Sequence, residues 1–312
     1  MTVDPRVSVI IAAYRSHLTI GSCLAALAGQ SLGDFEVIVV DSSPDDATSE
    51  AVRSFPAVRL ERAASRLLPQ AARNRGAGLA RGSLFAFTDP DVYPEGGWLE
   101  RLVATRRREG DIVVGALACH GRRWLDTGIH ICKFSPWLPG GAPREVDMAP
   151  TAGLLVSRST FLQLGGFPGE AFQGDAVFAW RARRRGHRLL FEPSAVARHH
   201  HLATVGSFLR ERFERGRDLA ELRATEWDHS RARDLLFIAV SLLPVRLARV
   251  MAMTGGRCWR AGTFATLLLT SPVVVAGHLV GLIGEGMGFG RDLSSRRRTG
   301  RGAGRPGGGS EL

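Results

Sequence analysis

The chain has 312 residues, 45% hydrophobic and 23% charged, a globular composition that excludes a disordered or collagen-like protein and has room for two domains at roughly 100 to 200 residues each. The formal net charge is +11, yet residues 1–100 carry nine basic against twelve acidic groups, residues 101–200 fifteen against eight, and the remainder seventeen against ten. The excess lies beyond residue 100 without the interleaved aromatics or recognition helix that nucleic-acid binding needs, so no nucleic-acid partner is expected.

The first stretch, MTVDPRVSVIIAAY, sets Asp4 ahead of a short apolar run and has no small-residue cleavage site, so it does not read as a signal peptide. Residues 7–11 (VSVII) and 36–40 (EVIVV) are β-branched apolar runs that predict strands buried on both faces of a parallel sheet. Between them, residues 17–30 carry Leu18, Ile20, Leu24 and Leu27 near helical spacing, with Gly33 as a stop. The alternation continues with a helix over 45–54, a strand over 57–63, a helix over 67–80 and a strand over 83–89. Repeated units of this kind specify an open α/β sheet with right-handed crossovers.

Ligands of such sheets bind beyond the carboxyl ends of the strands, and here those ends are acidic. Asp41 closes the second strand in VVDSSPDD, while Asp89 and Asp91 close a later one in FAFTDPDVYP. A GxGxxG fingerprint is absent after the first strand, where the sequence reads AAYRSH, and there is no P-loop; both argue against a dinucleotide or P-loop nucleotide site. Two carboxylates at i and i+2 around Pro90 can present oxygens to a hard divalent cation, which would neutralise a diphosphate leaving group. The same triplet is also compatible with an Asx-turn or a cap for the helix in EGGWLERLV.

The runs VSVIIAAYRS, FEVIVVDSSPDD and AARNRGAGLARGSLFAFTDPD, in this order and spacing, resemble the nucleotide-binding half of the family-2 glycosyltransferases across about the first hundred residues. The resemblance implies the GT-A fold, an open, mostly parallel α/β sheet flanked by helices, and an inverting transferase that uses a nucleotide-diphosphate sugar. It assigns Asp41 to the nucleobase, Asp89 to the ribose and Asp91 to a divalent cation, magnesium or manganese. Arg73 and Asn74, in ARNRG, match the segment that lines the nucleotide pocket, and Gly76 there serves close packing or a turn.

In the second half, a strand-like DIVVGALACHG precedes an unpatterned stretch, residues 121–147, rich in Trp, Pro and Gly, where specificity loops usually sit. Residues 149–201 resemble the family's distal block, with GGF followed by an acidic residue that opens a helix. Inversion by direct displacement needs a base for the acceptor hydroxyl, and Asp175 is the candidate; as an Asp it can also serve as the N-cap of AVFAWRARR. The family usually has Glu-Asp where this chain has Gly174-Asp175, which removes a flanking carboxylate and keeps the presumed base. The Gln-x-x-Arg-Trp motif of processive synthases is missing, which favours single addition. His199, His200 and His201 cannot all point the same way from a strand; His199 is the candidate additional metal ligand, with a structural or solvent-exposed role equally open. The arginines at 181 and 183–185 read as a solvated helix face or an attraction for anions. The four cysteines, Cys23, Cys119, Cys132 and Cys258, form no CxxC pair, so no zinc ribbon or thioredoxin motif is expected and the thiols read as reduced.

Residues 235–253 are apolar but interrupted by Pro244, Arg246 and Arg249, whereas 263–283 carry no formal charge and are long enough to span a bilayer. The expected organisation is a GT-A domain over 1–205 (nucleotide half 1–100, acceptor half 101–205), a helical membrane-associating region over 206–290 and a disordered basic tail over 291–312. A cytoplasmic catalytic domain with the arginine-rich tail on the same side favours a hairpin, a re-entrant pair or interfacial helices at the cytoplasmic face of the membrane. That location points to a lipid-linked or cell-envelope glycan as acceptor. Two other classes compete: a catalytically inactive nucleotide-binding membrane scaffold of the same fold, supported by Gly174, and a nucleotidyltransferase, which would need glycines in AAYRSH. Two packing helices of a globular domain remain the alternative to membrane association.

Overall fold

The computed structural model describes residues 4–109, 112–168, 173–226 and 242–300. The strands are β1 (Val7–Ala13), β2 (Phe35–Asp41), β3 (Val58–Arg62), β4 (Leu84–Thr88), β5 (Val92–Pro94), β6 (Ile112–Cys119), β7 (Arg144–Glu145), β8 (Leu154–Ser157) and β9 (Leu189–His199). The helices are α1 (Ile20–Ala28), α2 (Ala47–Arg53), α3 (Pro69–Leu79), α4 (Trp98–Glu109), α5 (Trp124–Phe134), α6 (Arg158–Gln163), α7 (Gly174–Arg184), α8 (Val205–Glu226), α9 (Leu243–Arg260) and α10 (Phe264–Gly300).

All nine strands share one sheet, in the order β3-β2-β1-β4-β8-β6-β9-β5 with β7 on β9. The pairs β1–β2, β1–β4, β2–β3 and β6–β9 are parallel, whereas β8 runs antiparallel to both β4 and β6. This is the mostly parallel, helix-flanked sheet that the alternating elements specify. The β-branched runs bury both faces. Val9 and Ile11 pack with Leu24 and Leu27 of α1 and Leu99 and Leu102 of α4, while Ile10 and Ile38 face Ala72 and Ala77 of α3 and Phe178 and Ala179 of α7. Gly76 lets α3 approach the sheet closely, because a Cβ there would lie 2.5 Å from Ile10 Cγ2 and 3.3 Å from Val40 Cγ2.

Several details differ from the sequence expectation. Helix α1 ends at Ala28 with Gly29 as its cap, so Gly33 lies beyond the stop. The stretch 121–147 is not unpatterned coil: it holds α5, a 3₁₀ turn over Ser135–Trp137 and β7. Helix α5 buries Asp126, Gly128, Ile129, His130, Ile131 and Cys132.

Two compact units emerge: Met1–Ala203 with Met253–Val274, and Thr204–Ala252 with Val275–Leu312. In the first, the start of α10 docks on α5, where Trp124 Nε1 donates to the Leu269 carbonyl at 2.7 Å and a Cβ on Gly128 would lie 2.8 Å from Val273 Cβ. In the second, glycines 281, 284 and 288 of α10 lie against the backbone of α8, and Glu285 of α10 pairs with Arg246 of α9. Pro244 sits in the first turn of α9, where its missing N–H costs nothing, and so starts this helix instead of interrupting it. The earlier part of the apolar run, 235–241, lies outside the described residues. Phe264–Phe289 of α10 is the one described helix long and apolar enough to cross a membrane, with Pro272 inside it. Helix α10 continues to Gly300, so the basic tail expected from residue 291 begins as helix; residues 301–312 lie outside the described residues.

Candidate active site

The turn Asp89-Pro90-Asp91 leaves the carboxyl end of β4 and leads directly into β5. Its backbone is held on both sides: Val92 N–H donates to the Asp89 carbonyl at 3.1 Å and His200 N–H to the Asp91 carbonyl at 2.8 Å. Below it, the buried thiol of Cys23 donates to the Asp89 carbonyl at 3.5 Å, and burial, with the two nearby carboxylates, pushes this thiol up so that it stays protonated. Asp89 forms an ion pair with the guanidinium of Arg73, which α3 presents with only 5% exposure.

Opposite Asp91 stands His199, its Nε2 lying 3.9 Å from Asp91 Oδ2. That separation is too long for a hydrogen bond and short enough for both atoms to ligate one ion. The Asp91 side chain keeps 35% of its exposure, yet its carboxyl is pushed up to about 7, by desolvation first and then by the negative charge of Asp89, against weaker pulls from Lys133 and His200. A divalent cation is the counter-charge that relieves both causes, so Asp91 and His199 fit the role of holding one.

Strand alternation separates the three consecutive histidines. His199 and His201 lie on one side with rings stacked at 4.4 Å, whereas His200 turns the other way, its Nδ1 3.0 Å from the Tyr93 hydroxyl and its ring 5.1 Å from that of His120. His120 is held below the usual imidazole range by burial first, and then by its neighbours His200 and Arg198. Sequence reasoning missed a deeper partner: His130 of α5 sits with Nδ1 3.1 Å from His201 Nε2 and Nε2 2.9 Å from the Leu117 carbonyl. Burial pushes His130 down to about 3 and holds His201 lower still.

Asp41, fully buried at the end of β2, has its oxygens engaged within the protein. Oδ1 accepts from Ser43 N at 2.9 Å and Ser43 Oγ at 2.6 Å, while Oδ2 accepts from Ser49 Oγ at 2.6 Å and from Arg62 at 3.4 Å. Ser43 and Arg62 in turn line an open cleft of about 600 Å³ with Tyr14, Ser42, Ala63 and Arg66, the Arg66 guanidinium lying 4.5 Å from the Tyr14 ring centroid. Asn74 spends its amide on the chain itself, bonding both the N–H and the carbonyl of Phe167 in the GGF segment.

Asp175 occupies the second position of α7, whose N-cap is Gln173, so it is not the cap; its Oδ1 accepts from the Ala176 N–H at 2.9 Å. Gly174, where the family usually has Glu, packs on α3: a Cβ there would lie 2.7 Å from Gln70 Cγ. The structure therefore brings together Arg73 with Asp89 and Asp91 with His199, places Asp41 behind the cleft, and ties Phe167 and Gly174, which precede Asp175, to α3 through Asn74 and Gln70. Of the arginine run, Arg183 pairs with Asp147 at 2.9 Å and Arg184 lies over the Trp180 ring, which is a solvated face with local partners.

The model of the family described as "Glycosyl transferase family 2" matches residues 8–151. The glycosyltransferase AglE of Haloferax volcanii is 29% identical over 225 residues, covering 68% of this chain and 72% of AglE. The pre-mycofactocin glycosyltransferase of Mycobacterium tuberculosis is 31% identical over 170 residues, 49% of this chain, and the match spans only 34% of that relative. Among solved structures, the mannosyltransferase PcManGT of Pyrobaculum calidifontis, in complex with GDP-Man and Mn2+, shares the fold with a TM-score of 0.55 and 20% identity over 90% of this chain and 88% of that one. S. aureus TarS 1–349, in complex with UDP-GlcNAc, does so with a TM-score of 0.52 and 16% identity over 94% of this chain and 92% of that one.

Proposed function

We propose that the chain, whose residues 8–151 match the model of glycosyl transferase family 2, is an inverting glycosyltransferase that moves a sugar from a nucleotide-diphosphate donor to an acceptor hydroxyl. The observation that carries this reading is the Asp89-Pro90-Asp91 turn at the end of β4, with Arg73 on one carboxylate and His199 opposite the other.

The ribose meets Asp89, whose orientation Arg73 holds, and the base occupies the cleft beside Tyr14, where Asp41 acts through Ser43 and Arg62. A magnesium or manganese ion at Asp91 and His199 would supply charge neutralisation of the diphosphate leaving group. Asp175 takes the proton of the acceptor hydroxyl; the acceptor oxygen bonds to the anomeric carbon as the bond from that carbon to the diphosphate oxygen breaks, which inverts its configuration. This reading keeps a transferase domain over 1–205 and a membrane-associating helical region over 206–290, of which residues 253–274 pack in the same compact unit as 1–203. Exposed Trp259, Leu268 and Leu269 on the unit that also carries the site support docking at the cytoplasmic face of a membrane, and with it a lipid-linked or cell-envelope glycan acceptor.

A thermal-shift panel of the purified chain with UDP, GDP, CDP and dTDP sugars, each with and without manganese, tests the donor site. A ligand at a hundred times its Kd adds about 2.7 kcal/mol of stability. The expected result is a shift for one nucleotide that needs the metal and disappears in Asp91→Ala. Metal-dependent donor binding with no sugar transfer to lipid-linked or glycan acceptors would instead favour the inactive scaffold, and no shift with any donor would remove the transferase reading.

A further inference from the structure

A second set of ligating atoms lies beside the carboxylate turn and plays no part in the transfer chemistry. Cys119 ends β6, His130 lies on α5 and His201 follows β9, and one ligand atom from each lies within 4.8 Å of the other two. We propose that Cys119, His130 and His201 form a binding site for a borderline-soft transition metal of the zinc type, separate from the oxygen-rich site at Asp91.

Three features of the geometry support it. The Nε2 of His130 lies 2.9 Å from the Leu117 carbonyl, which can only accept, so that nitrogen carries the proton and Nδ1 presents a lone pair to the cluster. A backbone carbonyl on the far nitrogen is the usual way a metal-ligating histidine is oriented. Two imidazole nitrogens then face one another at 3.1 Å, His130 Nδ1 and His201 Nε2. Around a tetrahedral ion with bonds of about 2.0 Å to nitrogen and about 2.3 Å to sulfur, neighbouring ligand atoms stand roughly 3.3–3.6 Å apart, so the rings need to part by only a few tenths of an ångström. The third ligand is a thiol, half-buried, which at present donates to the Gly121 carbonyl at 3.3 Å. Metal binding would replace that thiol proton and release it to solvent. One thiolate and two imidazoles select zinc, cobalt or copper over magnesium or calcium, and leave a fourth position for water. Phe134, with its ring 5.3 Å from His130 and 6.1 Å from His201, supplies an apolar wall.

The site joins the ends of two parallel strands to α5 and fixes His201, on whose ring His199 stacks. An ion there would orient His199 toward Asp91 without touching the donor. The proposal rests on ligand geometry alone and stands whether or not the chain transfers a sugar.

Cobalt(II) titration of the purified full chain, followed by absorption, tests it. One equivalent should give a thiolate-to-cobalt charge-transfer band with tetrahedral d–d bands. Excess zinc should abolish these and excess magnesium should leave them unchanged. The band should be lost in Cys119→Ser and in His130→Ala, and survive in Asp91→Asn and Cys258→Ser. Cys119→Ser is nearly isosteric, and circular dichroism reports whether it is folded. Absence of the band from the native chain overturns the proposal whatever the variants do, as does a band that persists in folded Cys119→Ser.

Discussion

Asn74 grips the peptide of Phe167 from both sides: its Nδ2 donates to the Phe167 carbonyl at 2.7 Å and its Oδ1 accepts the Phe167 N–H at 3.0 Å. The two residues are 93 positions apart, and the bond pair ties α3, which carries Arg73, to the segment preceding α7, which carries Asp175. Asn74→Ala leaves a partly buried N–H and carbonyl to find other partners. It should cost about 1–3 kcal/mol in urea unfolding. Asn74→Asp keeps the acceptor but sets a carboxylate against the carbonyl, and should be no more stable than Asn74→Ala.

Gly174 stands where the family that the sequence resembles usually has a carboxylate, and its surroundings are tight. A Cβ would lie 2.7 Å from Gln70 Cγ and 3.1 Å from the Pro168 carbonyl. Gly174→Glu should therefore destabilise the chain by about 1–3 kcal/mol through overpacking. Gln70→Ala should recover part of that loss in the double variant, because it removes the nearer obstacle and leaves the backbone one. Equal losses in the single and double variants would mean that Gln70 is not what excludes a side chain at position 174.

Asp91 makes stability depend on pH with a defined sign. Its carboxyl is raised from the ordinary 3.8 to about 7, by burial and then by Asp89, so the folded state prefers the protonated form. The stabilisation is complete below pH 3.8 and is lost as the pH rises through about 7. In a metal chelator, Asp91→Asn should thus melt higher than the native chain at pH 8, with the difference shrinking toward pH 5. Because a third of the side chain reaches solvent, screening reduces the gain; at about 1 kcal/mol it amounts to about 2–4 °C in Tm. A difference that stays constant from pH 5 to pH 8 would assign the effect to packing instead of charge. With manganese present the order at pH 8 should reverse, since the ion bound at Asp91 stabilises the native chain and not Asp91→Asn, and the reversal should fade below pH 7, where protons compete with the ion.

The strands were legible because a parallel sheet covered on both faces needs unbroken β-branched runs, and VSVIIAA and FEVIVVD are such runs. The acidic turn at Asp89 and Asp91 followed from where those strands end. The histidines at 199–201 stood out in the sequence, but their meeting with Cys119 and His130 did not, and part of the cause lies in register. β6 and β9 pair in parallel, but the pairing shifts between Gly115 and Ala116, where Glu192 is followed across the ladder by Val196. This bulge is what sets Cys119 opposite His199, and nothing in the alternation of either segment announces it. Helix α5 lies in a stretch whose Trp, Pro and Gly residues read as a loop, and that composition masked it. The pairing of Asn74 with Phe167 likewise carries no local signal, since an Asn in ARNRG reads equally as a ligand contact.

Membrane docking predicts a specific pattern of loss. Leu269 is 73% exposed, Trp259 72% and Leu268 61%, and all three belong to the unit that carries Asp91, so this surface travels with the site. Burying one such side chain in the acyl boundary is worth about 1.5–3 kcal/mol, which is about tenfold or more in partitioning for each residue. Trp259→Ser with Leu268→Ser should reduce co-sedimentation with anionic liposomes by at least about a hundredfold, while the Trp124 bond to the Leu269 backbone keeps the start of α10 in place. Raised salt should weaken binding further through Arg260 of the same unit, whose attraction for anionic headgroups is screened within about 10 Å at 0.1 M. Native protein that stays in the supernatant at every lipid concentration would return these residues to a protein interface. Loss with salt alone, undiminished by the Ser substitutions, would make the contact electrostatic and leave the apolar surface without a role in it.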